Sequence, residues 1–361
     1  MWYNFRGQII AGTRFWRPDA GHVRKETGVF QSYYAERLEK TLITAVHQAS
    51  GSPSVGVFAM NMTARLMQTL CITVLLLCSL SYNGLAAASD DAAALRKQYA
   101  ALTPQLSNNQ FRRTLYMDSI ESSSTVKGNI YAVMDYSFAS VNNALNNPEQ
   151  GPANWCDVMI LHLDTKYCHA SSGSNGKRLI VNIGKKVQQP LASTYRIEFN
   201  YQMAAANSEY FRVNLETNSG PLGTKDYRIV LEAVAIDVEH TFLHLTYSFS
   251  YGMVGRMAIK TYLATIGRDK VGFTSKGLRS NRETVYIGGV RGLVERNTMR
   301  YYLAIDAYLS AQSLPADKRL EKRLSNWFSA TEQYARQLHE VKREEYMQMK
   351  YQEYQRQQTA Q

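Results

Sequence analysis

The sequence predicts an α+β fold: a curved antiparallel sheet, two short helices after its first strand, a long helix packed over the concave face, and a C-terminal helical extension. Three observations carry that expectation. Residues 161 to 251 alternate apolar and polar side chains with a period of two, interrupted by turn residues; the stretch before them holds two short helical runs; from Met253 onward the period becomes 3.6. A meander of this kind buries one face of its strands, and the helix that follows the last strand is the element at hand to cover it.

Taken from the N-terminus, residues 1 to 59 mix Arg, Trp, Gly and Ser with no sustained period. They read as a leader or an overlong start assignment, with a real domain as the alternative. Residues 60 to 88 then run from Arg65 through an apolar core at Leu66 to Leu77 to the small residues Ala86, Ala87 and Ala88. That is the order of a secretory signal, with cleavage expected near Ala88, and the core is short of the roughly 20 residues a membrane span needs. The expected location is the periplasm, or the inner membrane if the signal stays as an anchor. Leu77 beside Cys78 is too large for a lipid-modification site.

Past residue 88 the chain keeps 33 basic and 26 acidic residues, a net charge of about +7. Such a balance permits contact with anionic head groups without requiring it. Two cysteines remain, Cys156 and Cys168. In an oxidising compartment they are expected to form a disulfide, with two buried free thiols as the alternative. Neither belongs to a close Cys-x-x-Cys pair, so no zinc site is expected.

Along the exported part, residues 92 to 102 space Ala, Leu and Tyr by three and four, a short helix. Strand-like runs follow at 113 to 120 and 127 to 135. Ser137 is placed to cap a helix over 138 to 147, Pro148, Gly151 and Pro152 break it, and Asn154 opens a second one bearing Trp155, Cys156 and Met159. In 195 to 203, Tyr195, Ile197, Phe199, Tyr201 and Met203 share one face; similar alternation at 211 to 216 and 241 to 251, with a run at 226 to 236 that is apolar on both parities in places, brings the meander to about five strands. Gly252 and Gly267 bracket a helix with Val254, Met257, Ala258, Thr261 and Tyr262 on one side; another helix is expected over about 291 to 311. Leu320, Leu324, Trp327, Thr331, Tyr334, Leu338 and Val341 then make a heptad stripe on one long helix. The stripe either packs on its own domain, the preferred reading, or forms a dimer; the Gln-rich end from Gln352 is expected to fray. The resulting division is a sheet domain over 89–270 and a helical extension over 271–361.

Two words carry a resemblance: Lys127-Gly128-Asn129-Ile130-Tyr131-Ala132-Val133-Met134-Asp135 leading into Phe138 to Leu145, and Thr246-Tyr247-Ser248-Phe249-Ser250-Tyr251-Gly252 leading into a helix. Over about residues 113 to 268 the order resembles the START-like (SRPBCC) helix-grip superfamily, which includes the birch-pollen-allergen type of fold. Trp155, Lys166-Tyr167-Cys168, Gly223 to Arg228 and Glu295 to Tyr302 look, more narrowly, like a group of uncharacterised exported proteobacterial proteins. The superfamily resemblance implies a hydrophobic or lipid-like ligand held between sheet and helix, and it allows an enzyme.

No catalytic arrangement stands out. There is no Gly-x-Ser-x-Gly elbow, and Gly173-Ser174-Asn175-Gly176-Lys177 is too short for a phosphate loop and reads as a hairpin turn. His240 and His244 share a face but lack a third ligand, so surface or satisfied histidines are the expectation. Gly252 to Arg256 offers free N–H groups and a cation at a helix start. Arg256, Arg296 and Arg300 are therefore the candidate anion contacts, against a solvated helix face for Arg291, Arg296 and Arg300. Tyr195, Ile197, Phe199, Tyr201, Tyr247 and Met257 are the candidate ligand wall, against plain core packing. The expectation is thus a periplasmic, non-enzymatic protein binding a hydrophobic molecule, with no cofactor and no nucleic acid. A filled-core interaction protein of the envelope and a cyclase-like or hydrolytic enzyme are the alternatives.

Overall fold

The computed structural model describes residues 88 to 174 and 176 to 359; the expected leader and signal lie outside the described residues. What is described belongs to one compact unit. Helix α1 covers 88–107, longer at both ends than the expected 92–102. Strands β1 (Leu115–Glu121) and β2 (Thr125–Met134) are followed by helices α2 (Phe138–Leu145) and α3 (Gly151–Met159), then β3 (Thr165–Gly173), β4 (Gly176–Ile183), β5 (Tyr195–Ala206), β6 (Tyr210–Thr217), β7 (Thr224–Ala235) and β8 (Thr241–Tyr251). The meander after α3 therefore has six strands, one more than expected.

The eight strands form one antiparallel sheet in the order β1-β2-β8-β7-β6-β5-β4-β3. The last strand returns to lie beside β2, and α2 and α3 fill the excursion from β2 to the far edge. Local chemistry sets both helices. The Ser137 hydroxyl accepts from the Ser140 amide at the start of α2. In α3, Pro152 sits within the first turn, where its missing N–H costs nothing, so Gly151-Pro152 opens this helix instead of breaking before it.

After the sheet come α4 (Met253–Ala264), a small hairpin of β9 (Ser275–Leu278) and β10 (Thr284–Tyr286), and helices α5 (Gly289–Leu309), α6 (Ala316–Glu332), α7 (Ala335–Leu338) and α8 (Arg343–Thr359). The long helix over the concave face is α5, and not α4 as the order of the sequence suggested. Composition explains the exchange. α5 buries Val294, Met299, Tyr302, Leu303 and Ile305 nearly all round, as a helix inside a core must. α4 buries only Gly255 and Ile259. The approach of α5 depends on Gly128 in β2, because a Cβ there would stand 2.5 Å from the Thr298 hydroxyl oxygen.

The heptad stripe is real but its helix is broken. Leu324, Trp327, Thr331 and Leu338 are buried against the chain's own core, as the intramolecular reading expected, while the chain turns between α6, α7 and α8. The Gln-rich end does not fray within the described residues. α8 runs to Thr359 because Tyr346, Met349, Lys350, Glu353 and Gln357 are buried.

Both sheet faces are covered. Phe211, Val213, Leu215, Ile229, Leu231, Leu243 and Leu245 point with α2, α3, α5 and α6 into the main core. On the opposite face Ala88, Ala92, Leu95 and Leu106 of α1 pack on Tyr131, Tyr210, Val234 and Phe242. Cys156 of α3 and Cys168 of β3 form a disulfide, with Cα atoms 5.2 Å apart.

Candidate functional site

The aromatic wall lies between the sheet and α5, and the chain's own side chains pack against it. Ile197, Phe199 and Tyr201 of β5 are buried on the helix-facing side, and the Tyr201 hydroxyl donates to the Leu145 carbonyl at 3.4 Å. Tyr195 has the same parity but sits at the strand's start, 48% exposed. Tyr247 of β8 is wedged between Tyr227 and the Tyr301 ring of α5, centroids 5.4 Å apart, and His162 stacks on the other side of Tyr301 at 4.9 Å. Burial pushes the Tyr201 hydroxyl up to about 12 and Tyr247 well above its ordinary value, so both remain neutral donors at physiological pH. A hollow of about 230 Å³ opens elsewhere, between the segment after β4 and α8, lined by Lys186, Gln188, Val341, Glu345 and Met349. It does not reach the aromatic wall, and neither does a second of about 10 Å³ near Trp327 and Tyr346.

The arginines of α5 are interior groups. Arg300 donates to Glu340 at 2.8 Å, and the same carboxylate accepts from Lys186 at 2.6 Å and pairs with Lys270 at 3.3 Å. Burial would raise Glu340, but Lys186, Arg300 and Lys270 outweigh it and hold the carboxyl below its usual value. Arg296 is fully buried with one donor used, to the Val271 carbonyl at 3.2 Å, while its Nε and second terminal nitrogen have no partner. Burial and the neighbouring Arg300 both lower it. His162 is equally sealed: its Nδ1 accepts from the Asp164 amide at 3.2 Å, its Nε2 is unpartnered, and burial pulls it down to about 3. The solvated face envisaged for Arg296 and Arg300 is thus corrected, because α5 is enclosed on all sides.

A second buried group ties α8 to β3. Lys350 donates to the His162 and Thr165 carbonyls at 2.6 and 2.8 Å and to Glu353 at 2.8 Å, and Lys166 pairs with Glu353 at 3.1 Å. No motif marked Lys186, Glu340 or Glu353, and the word containing Lys166 carried no role for it, since these groups come from distant segments. The three-residue spacing of Lys350 and Glu353 on one helix was the single local signal.

Met257 and Arg256 lie apart from all of this, on the outer side of α4. Met257 is 65% exposed, and the Arg256 guanidinium donates to the Ser123 carbonyl in the β1–β2 turn. The structure therefore brings Ile197, Phe199, Tyr201 and Tyr247 into one core and Arg296 with Arg300 onto one helix, and leaves Tyr195, Met257 and Arg256 outside.

On the far sheet face His244 bonds Glu232 at 3.0 Å and Asn129 at 3.2 Å beneath the Tyr131 ring, while His240 bonds Asp237 at 2.8 Å. Each histidine is satisfied by its own partners. Gly173 and Gly176 face each other across the β3–β4 hairpin, as turn chemistry predicted. Among the described residues no three His, Cys, Asp or Glu side chains come together as a metal site.

No protein-family model and no curated protein matches the chain. Solved structures do resemble it. A norcoclaurine synthase point mutant from Thalictrum flavum in complex with a transition-state analogue is 11% identical, covering 39% of this chain and 86% of that one, TM-score 0.29. A START superfamily protein from Mycobacterium smegmatis is 13% identical over 38% and 89%, TM-score 0.25. Human StAR-related lipid transfer protein 5 is 7% identical over 50% and 90%, TM-score 0.26. The helix-grip fold is seen in the strand order and in the helix α5 over the sheet.

Proposed function

We propose that the chain is an exported, non-enzymatic protein of the cell envelope that works through its surface, with the space between sheet and helix filled by its own side chains. The observation that carries this reading is the Tyr227–Tyr247–Tyr301–His162 cluster of rings, which fills the place a ligand would take. The export pattern over 60–88 and the Cys156–Cys168 disulfide support the location. An enzyme in the same space would need a charged acid or base facing an opening; the charged groups near it are sealed in ion pairs or buried without access to substrate.

The second reading is a carrier of a hydrophobic or lipid-like molecule. One observation favours it: Tyr201, Tyr227 and Tyr247 share the sheet face beneath α5, and their hydroxyls are groups that would orient an amphipathic guest. Native mass spectrometry of protein purified from its host's periplasm, before and after organic extraction, separates the two. A clean apo mass, unchanged by extraction, is the expected result. A discrete mass released by extraction would favour the carrier.

A further inference from the structure

We propose that the tip formed by α4, the β1–β2 turn and the β6–β7 loop docks on an anionic phospholipid membrane. The inference rests on the surface-contact reading and names the partner of that surface.

Three chain segments build one patch. The Arg256 guanidinium reaches the Ser123 carbonyl of the β1–β2 turn and lies over the Tyr251 ring, 5.9 Å from its centroid. Gly255 sits so close to the β6–β7 loop that a Cβ would stand 2.7 Å from the Gly223 carbonyl oxygen. Around these contacts four large apolar side chains face outward, Leu222 (58% exposed), Met253 (81%), Val254 (69%) and Met257 (65%), and Ile120 (59%) projects from the other sheet face at the same end. Leu222 holds a positive φ of 55° there, a conformation a branched apolar residue adopts only at some cost. Single exposed apolar residues need no explanation, but five gathered at one end do.

The helical geometry fits the same partner. α4 turns Gly255 and Ile259 inward. At 100° per residue Met253, Met257, Thr261 and Ala264 then form the outward stripe, with Val254 at one side and Arg256 and Lys260 at the other. From Gly252 to Gly267 the chain has two cations, Arg256 and Lys260, and no carboxylate; Arg268 beyond them pairs with Asp269 at 3.8 Å. The carboxylates of the adjoining turns are engaged: Glu121 accepts from the Tyr251 hydroxyl at 3.5 Å and Asp226 pairs with Lys225 at 3.9 Å. Apolar side chains projecting from a helix with Lys and Arg beside them are suited to the boundary between head groups and acyl chains, where lipid phosphates meet the cations. A protein partner would be expected to offer or receive aromatic anchors in a recess. This patch is built of flexible Met, Leu, Ile and Val side chains and projects.

Flotation of the purified protein with phosphatidylcholine vesicles, with and without phosphatidylglycerol, tests the proposal. Wild type should float with the anionic vesicles only and be released by high salt. The double variant Met253→Asp/Met257→Asp should lose about tenfold in bound fraction, Lys260→Glu should weaken binding, and Met203→Asp, an exposed apolar position on β5, should bind as wild type. Unchanged thermal melting would show that the variants fold, as exposed positions predict. Failure of wild type to float, equal binding to neutral vesicles, or full binding by the double variant overturns the proposal. Native mass spectra of the same samples keep the two claims apart. A clean apo mass without vesicle binding sinks the docking surface alone, whereas a co-purifying ligand with intact vesicle binding sinks the filled interior alone.

Discussion

At the scale of single residues, the informative groups are polar ones that the fold has enclosed. His162 is held down to about 3 against an ordinary value near 6.5, chiefly by burial, with Asp164 opposing and Arg300 and Lys350 adding to the effect. Its folded form stays neutral while the unfolded chain takes up a proton. Stability attributable to His162 is therefore fully present above pH 6.5 and is lost as pH falls from there toward 3, by about 1.4 kcal/mol per pH unit. Urea unfolding at pH 7, 6 and 5 should show that slope in wild type and lose it in His162→Phe. The same slope in both proteins would contradict the assignment. Arg296 makes the opposite kind of prediction. Its guanidinium is buried with two nitrogens unpartnered, so Arg296→Met should raise stability by about 1 to 3 kcal/mol, whereas Glu340→Gln, which strands Lys186 and Arg300, should lower it by about 3 kcal/mol. Equilibrium unfolding of the two variants measures both.

At the scale of elements, the sheet was legible and its cover was not. Strict alternation in 195 to 203 and 241 to 251 marked β5 and β8, because a strand with one buried face must alternate. Ser137 and Gly252 marked helix starts through turn and cap chemistry. The choice between α4 and α5 as the covering helix is a tertiary matter. Both follow the sheet, and only the nearly all-round burial of α5 with the notch at Gly128 decides it. Likewise a heptad stripe reports which side of a helix is apolar and says nothing of a turn at Tyr334. Gly128→Ala should force Thr298 away and cost about 1 to 3 kcal/mol, read as a lowered melting temperature. Replacing Cys156 and Cys168 together by Ser should cost about 3 kcal/mol, since the bridge closes a loop between residues 12 apart.

At the scale of the whole molecule, the candidate site divides along the same line. Of the residues expected to wall a ligand, Ile197, Phe199, Tyr201 and Tyr247 lie on one buried sheet face, while Tyr195, at the start of β5, is half exposed. Periodicity identifies an apolar face; whether that face meets a guest or the protein's own Tyr301 and His162 depends on segments distant in the chain. Met257 went astray for the complementary reason: an apolar stripe on a helix reads the same whether it turns toward the core or away from it. That stripe is what gives the molecule an apolar surface to use.

The most direct test of a filled interior with an active exterior is amide hydrogen exchange with and without anionic lipid vesicles. The account predicts added protection confined to residues 253 to 264 and the adjoining turns, with α5 and β5 unchanged. Altered exchange along α5 and β5, with α4 untouched, would mean that lipid enters between helix and sheet and would contradict it.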